Sequence, residues 1–143
     1  MRLKKIFLIG ILFFAFPSFT ETNFSKLMIR IDGVKNKKGT VNIAIYKSDA
    51  DFKNENFAYV SKISSDASVY FVFEKVEYGK YAIAIYHDEN ENRKLDRNMI
   101  GIPSEGYGFS NNAKGSILGP PKFQDTSFSV EEPQKILTIQ MSY

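Results

Sequence analysis

Apolar and polar residues alternate along much of the chain from residue 24 onward, which is the pattern of strands that bury one face. Five segments have this alternation or are rich in residues that favour strands: KLMIRID, TVNIAIYKS, SVYFVFEKV, KYAIAIYHD and QKILTIQMSY. In the first of them Leu27, Ile29 and Ile31 share a face. The segment GVKNKKG, with glycine at both ends, separates the first two and predicts a hairpin that pairs them.

The segment KYAIAIYHD carries large apolar residues on one face, and its other face begins with two alanines, Ala82 and Ala84. Side chains this small indicate that another part of the chain packs closely against that second face. The stretch DADFKNENFAYVSKI is less regular, and it predicts a short helix or an irregular crossover. Near the end of the chain, FQDTSFSVE predicts a further strand with Phe128 and Val130 in phase.

Between Asn98 and Lys122 the chain is rich in Gly, Pro, Asn and Ser, which predicts one long ordered loop. The predicted fold is therefore all-β: an antiparallel Greek-key β-sandwich of about seven strands, immunoglobulin-like or transthyretin-like. We expect a single domain over residues 24–143, because that length builds one packed core and contains no internal repeat.

Residues 1–20 have the layout of a signal peptide, with a basic head MRLKK and an apolar run IFLIGILFFAF. A secreted or periplasmic location is expected, and an uncleaved N-terminal anchor is the competing interpretation. No transmembrane segment is expected after the signal is removed. The chain has no cysteine, so neither a lipoprotein anchor on cysteine nor a disulfide is available.

Charge argues against nucleic acid as a partner. The chain has 19 Lys and Arg against 16 Asp and Glu, but Arg2, Lys4 and Lys5 belong to the predicted signal. The remainder is formally neutral, and it has no basic stripe with interleaved aromatic residues. A monomer is expected.

The run YHDENENRKLDRN has the spacing of a calcium loop. Asp88, Asn90 and Asn92 stand at offsets one, three and five, where alternate side chains of a tight loop turn inward. Lys94 could offer its backbone carbonyl at offset seven, and Asp96 stands at offset nine. Calcium needs six to eight oxygen ligands.

A carboxylate for this site could come from Glu105 if the segment GIPSEG folds back onto the loop. The alternative is a turn without metal, because Asp and Asn side chains accept hydrogen bonds from nearby backbone N–H groups. Arg93 stands where a calcium loop of this kind has glycine, and Met99 stands where an EF-hand loop has its bidentate glutamate. Both interpretations place GIPSEG against the loop.

Two other features suggest chemistry. His87 is the only histidine, and a hydrolase could use it as a base with loop carboxylates such as Asp88 or Glu105, although a structural histidine is favoured. The segment EGYGFSNN predicts either a ligand surface, with aromatic rings for a sugar, or a compact loop in which Tyr107 and Phe109 plug the core. We favour the compact loop.

The blocks KGTVNIAIY, HDENENRKLD, GIPSEGYGFSNNA and PPKFQDTSF resemble a family of secreted bacterial proteins, domain of unknown function 2141. The resemblance extends over roughly residues 27–143 and departs from the family at Arg93, where glycine is common. It implies a secreted or envelope β-sandwich, similar to transthyretin-like and carboxypeptidase-regulatory modules, and it implies no activity. The predicted function is an exported, non-enzymatic module that binds a protein or glycan partner in the cell envelope. Calcium is the candidate cofactor that would stabilise this module. The alternative function is the hydrolase.

Overall fold

The computed structural model describes residues 23–64, 70–116 and 119–143, so the predicted signal peptide lies outside the described residues. These ranges contain eight strands and two short helices. The strands are β1 (Phe24–Asp32), β2 (Thr40–Tyr46), β3 (Tyr59–Ser64), β4 (Tyr70–Glu77), β5 (Gly79–Asp88), β6 (Tyr107–Phe109), β7 (Phe128–Val130) and β8 (Gln134–Gln140). The helices are α1 (Asp49–Lys53) and α2 (Phe123–Thr126), and a 3-10 turn spans Ser110–Asn112.

The strands form two sheets, and the predicted all-β sandwich is confirmed. One sheet has the order β4-β1-β8, and the other has the order β3-β2-β5-β6. Strand β7 pairs with the beginning of β5, and β6 pairs with its later half. One pair departs from the predicted antiparallel arrangement, because β1 and β8 run parallel.

The predicted hairpin between β1 and β2 is wrong. Strand β1 pairs with β4 and β8, whereas β2 pairs with β3 and β5 in the other sheet. Residues 33–39 therefore cross from one sheet to the other instead of turning back within one sheet. The seven residues are long enough for this, since stacked sheets lie about 10 Å apart and an extended residue spans about 3.3 Å.

The core lies between the two sheets and consists of the faces that the alternation predicts. The residues that β1, β2, β5 and β8 bury there are Leu27, Ile29, Ile31, Val41, Ile43, Ile45, Tyr81, Ile83, Ile85 and Ile139. Complete burial of an aliphatic side chain of this size stabilises the fold by about 1.5–3 kcal/mol relative to its exposure. This core fixes β5 at the centre of its sheet.

The outer face of β2 and β5 is covered as the alanines predict. Ala82 is fully buried, and both short helices contact this sheet. The ring of Phe52 in α1 lies 5.1 Å from the ring of Tyr46, 6.2 Å from that of Phe109 and 6.4 Å from that of Phe123. A second, smaller apolar layer therefore packs on the outside of this sheet.

Two predictions in the later part of the chain need correction. The predicted long loop of residues 98–122 contains β6 and a 3-10 turn among its described residues. The predicted strand in FQDTSFSVE begins only at Phe128, because residues 123–126 form α2. Phe128 and Val130 are both buried, as their phase predicts.

Candidate functional site

The candidate site lies at the carboxyl end of β5, where the chain leaves the central strand and enters the Asx-rich loop of residues 88–96. Asp88 is the last residue of β5, and its side chain is only 1% exposed. Its two carboxylate oxygens accept hydrogen bonds from the backbone N–H groups of Asn92, at 3.0 Å, and Arg93, at 2.8 Å. Asp88 therefore stabilises the turn of the loop through both of its carboxylate oxygens.

The side-chain amides of Asn90 and Asn92 bond to the backbone of the loop and to Asp96. The side-chain oxygens of Asn90 and Asn92 accept from the backbone N–H groups of Asn92 and Lys94, at 3.1 and 2.9 Å. Their side-chain NH2 groups donate to the two oxygens of Asp96, at 2.6 and 2.9 Å. Each side-chain amide therefore bonds through both its oxygen and its NH2 group, and each carboxylate oxygen of Asp96 accepts one hydrogen bond.

Glu105 folds back onto this loop, as the sequence predicts. It is 5% exposed, and its two oxygens accept from the backbone N–H groups of Glu89, at 2.9 Å, and Asp96, at 3.0 Å. The backbone strengthens the connection, because Ser104 N–H donates to the Asp96 carbonyl and His87 N–H donates to the Gly106 carbonyl. The block HDENENRKLD and the segment GIPSEG are therefore in direct contact.

The structure brings together Asp88, Asn90, Asn92, Lys94, Asp96 and Glu105, the predicted metal ligands, in one hydrogen-bonded cluster. Its carboxylate oxygens face N–H donors, and a cation would have to displace some of these donors. Within residues 23–64, 70–116 and 119–143, no group of three or more His, Cys, Asp or Glu side chains is arranged to hold a metal ion. The donor set of this cluster fits backbone capping better than it fits calcium.

Two residues in the loop adopt left-handed backbone conformations without being glycine. Glu91 has φ 59° and Arg93 has φ 68°. A side chain in this region costs roughly 1–2 kcal/mol relative to the right-handed conformation. The bonds to Asp88 and the amides maintain the strained loop, so the cluster stabilises a conformation that the chain would otherwise disfavour.

His87 faces the core from the same end of β5 and is fully buried. Its Nε2 lies 2.6 Å from the carbonyl oxygen of Lys38, which can only accept, so Nε2 carries the proton. Its Nδ1 lies 2.7 Å from the hydroxyl oxygen of Tyr143, and that hydroxyl accepts from Lys35 N–H at 2.9 Å. Burial raises the pKa of Tyr143 above its ordinary value, although the bond from Lys35 opposes this.

Beyond the Asx-rich loop, residues 97–103 form an internally hydrogen-bonded turn with apolar side chains at its tip. Asn98 N–H donates to the Ile102 carbonyl, and the Asn98 side-chain oxygen accepts from the N–H groups of Ile100 and Ile102. Arg97 donates from its guanidinium to the Gly101 carbonyl at 3.0 Å. Because the backbone is bonded internally, Met99 is held fully exposed and Ile100 is 78% exposed.

This turn forms one wall of a groove of about 710 Å3. Its apolar lining comes from three separate stretches of the chain and includes Leu95, Ile102, Pro103, Tyr107, Phe109 and Pro120. Arg97 is the charged residue that lines it. The groove is therefore an apolar surface held in place by the hydrogen bonds of the Asx-rich loop.

The prediction that Tyr107 and Phe109 plug the core is wrong. Gly108 faces the core between them, and a Cβ atom there would lie 2.8 Å from the Gln140 carbonyl oxygen and 3.1 Å from a side-chain carbon of Ile139. The two aromatic rings lie on the opposite face of β6, half-buried along the groove. Only glycine lets β6 approach β8 this closely.

Sequence reasoning missed most of the groove, including Leu95, Arg97, Ile100, Ile102 and Pro103. The run NMIGIP did carry a signal, because apolar residues between Asn, Gly and Pro are unusual in a turn. Whether such a turn lines a groove depends on the tertiary fold, which here places β6 beside the turn. Among the described parts of the chain, no helix is long and apolar enough to cross a membrane.

Comparison with known protein families gives a match over most of the chain. Residues 29–138 match the sequence model of a bacterial family, described as an uncharacterised protein conserved in bacteria, DUF2141. No curated protein and no solved structure matches the chain. Since the match extends over well more than half of the sequence, the chain belongs to the DUF2141 family.

Proposed function

We propose that the protein is an exported, non-enzymatic β-sandwich module that binds another protein of the cell envelope through the groove beside residues 97–103. The observation that carries this proposal is the internally hydrogen-bonded turn whose apolar side chains are exposed to solvent on the groove wall. Contiguous exposed apolar surface rimmed by polar residues marks an interaction site, whereas single exposed apolar residues are ordinary.

A protein segment suits the groove better than a glycan does. The lining is mainly aliphatic and aromatic, with Arg97 as its charged group. A sugar chain would need several hydrogen-bonding side chains along its length, and among the described lining residues these are Arg97, Tyr107 and Ser116. An extended apolar segment of a partner could instead bury Ile100, Ile102 and the half-buried ring of Phe109, the kind of central apolar contact that dominates binding energy at protein interfaces.

The position of His87 favours a binding role over the hydrolase. A general base must reach the proton that it abstracts, within about 2.6–3.2 Å or through one water. His87 is fully buried, both ring nitrogens have partners, and it lines neither the groove nor the other described cavities. Export through residues 1–20 and a location in the envelope remain part of the proposal, supported by the composition of that segment.

Calcium remains a prediction from the spacing of the loop, and the hydrogen bonds support the metal-independent alternative that we adopt here. Asp88, Asp96 and Glu105 each accept two N–H donors. These bonds stabilise the loop, and the hydrogen bond from Ser104 N–H to the Asp96 carbonyl connects the loop to the end of the turn that forms the groove wall. The proposed role of the loop is therefore to preorganise a binding surface, which lowers the entropy lost on association.

A photo-crosslinking amino acid placed at residue 100 in the native cell tests the proposed function. The expected result is one dominant crosslinked species containing a second protein, identified by mass spectrometry. With that protein purified, Ile102→Asp should weaken binding at least about tenfold, equivalent to about 1.4 kcal/mol, because a carboxylate would be buried against apolar groups.

The matched control places the same crosslinker at Thr138, which is exposed on β8 of the other sheet. We expect no dominant species from this position. Equal crosslinking from residues 100 and 138, or an unchanged affinity of Ile102→Asp, would contradict the proposal.

A further inference from the structure

A second cavity lies on another part of the surface and shares no lining residue with the groove. It measures about 320 Å3 and lies where the residue after β2, the helix α1, the α1–β3 connection, the start of β3 and the end of β4 converge. Its lining consists of Lys47, Asp51, Asn56, Phe57, Ala58, Tyr59 and Glu77. The fold therefore gathers donors, acceptors and two aromatic side chains from separate parts of the chain into one shallow cup.

The polar groups of this cup are held in place by one another. Lys47 and Glu77 form an ion pair at 2.7 Å. Asp51 accepts from the hydroxyl of Ser48 at 2.6 Å and from the side-chain amide of Asn56 at 2.9 Å. A carboxylate offers about four acceptor positions, so two at Asp51 remain for a ligand. These side chains would lose little freedom on binding.

The same contacts keep the cup charged at neutral pH. The hydrogen bond to Glu77 raises the pKa of Lys47, and that bond lowers the pKa of Glu77. The hydrogen bonds from Ser48 and, secondly, Asn56 lower the pKa of Asp51. One cation therefore stands beside two carboxylates, which makes the cup unattractive to an anion and rich in both donors and acceptors.

Phe57 supplies the apolar wall. It is 49% exposed, and its ring packs at an edge against Tyr46 with 6.1 Å between centroids. The next residue, Ala58, donates its N–H to the Ile45 carbonyl at 2.8 Å, which ties this segment to β2. A half-exposed ring in a fixed position beside ordered polar groups suits a ligand that is apolar on one face and polar at its edges.

We propose that this cup binds a single neutral hexose unit of an envelope glycan. The C–H face of the sugar packs on Phe57, its hydroxyls donate to Asp51 and Glu77, and they accept from Lys47 and Asn56. A volume of about 320 Å3 lies at the small end of ligand sites, about 300–1,000 Å3, and suits one sugar ring. This site is independent of the groove, so either proposal can fail without the other.

Titration of the 15N-labelled protein with D-glucose, D-galactose, D-mannose and N-acetyl-D-glucosamine tests the site. We expect saturable shifts of the backbone amide signals of Asn56, Phe57 and Ala58 with at least one sugar. Phe57→Ala and Asp51→Asn should each raise the dissociation constant at least about tenfold, and Phe57→Tyr should retain binding, which separates loss of the ring from loss of the fold.

Val72→Ala is the matched control, because Val72 is a similarly exposed apolar residue of β4 that does not line the cup. It should bind like the wild type. Absence of saturable shifts with all four sugars at 100-fold or greater excess, or binding by Phe57→Ala equal to that of the control, would overturn the proposal.

Discussion

At the scale of single residues, the Asx-rich loop depends on a few carboxylates that accept backbone hydrogen bonds. Asp88 and Glu105 are both buried, and each of their oxygens faces an N–H group. Leaving such a buried group without its partner costs about 1–3 kcal/mol. These two residues therefore stabilise a loop in which Arg93 has an unfavourable backbone conformation.

Arg93→Gly should stabilise the protein by roughly 0.5–1 kcal/mol, because glycine adopts φ 68° without the cost that a side chain adds. The N–H that bonds to Asp88 is kept in this variant. Chemical denaturation measures the free energy of unfolding. The control is Lys94→Gly, since Lys94 is not among the positive-φ residues, and it should be neutral or destabilising. A lower stability of Arg93→Gly than of Lys94→Gly would contradict this explanation.

The sequence predicted correctly that Asp88, Asn90, Asn92, Asp96 and Glu105 come together. It could not reveal which atoms these side chains turn toward one another. The same Asx spacing serves a metal, with oxygens converging, or a capped turn, with oxygens facing N–H groups. That difference depends on side-chain rotamers, including the direction in which the oxygens of Glu105 point.

At the scale of elements, β5 organises the molecule. It pairs with β2 along one edge and with β7 and β6 along the other. Its inward face contributes to the core, its outward alanines admit the short helices, and its end begins the Asx-rich loop. Glu105 then connects this end to β6, so the groove wall and the groove floor are both positioned by β5.

Glu105→Gln tests this connection. The amide NH2 of glutamine would replace one oxygen and face a backbone N–H of Glu89 or Asp96, so the free energy of unfolding should fall by about 1–3 kcal/mol. Glu91→Gln is the control, because Glu91 is exposed and its substitution should stay within about 0.5 kcal/mol. Equal stabilities of the two variants would show that Glu105 does not secure the loop.

Periodicity predicted the faces of the strands but not their partners. The alternation in Leu27, Ile29 and Ile31 identifies a buried face, yet it is compatible with pairing to β2 or with packing across the sandwich from it. The choice depends on contacts between distant segments, including the parallel pairing of β1 with β8. A strand as short as β6 gives no pattern at all.

At the scale of the whole molecule, the two sheets differ in how their outer faces are used. The larger sheet has its outer face covered by α1, α2 and the later loops, and the groove opens among these elements. The groove combines residues 95–103, β6, residues 115–116 and residues 119–120, which are separate in the sequence. The pattern of residues along the sequence could not show that these parts of the chain lie together. The same sequence did suffice to recognise the DUF2141 family from four blocks.

The central claim is that the Asx-rich loop is closed by its own hydrogen bonds, so that the groove is preformed without metal. Amide hydrogen exchange of Asn92 and Arg93, compared in EDTA and in about 10 mM calcium, well above the affinity range of extracellular calcium modules, tests it most directly. The account predicts that both amides, bonded to Asp88, are already protected in EDTA and that calcium changes their protection little. Unprotected amides in EDTA that become protected on addition of calcium would contradict it.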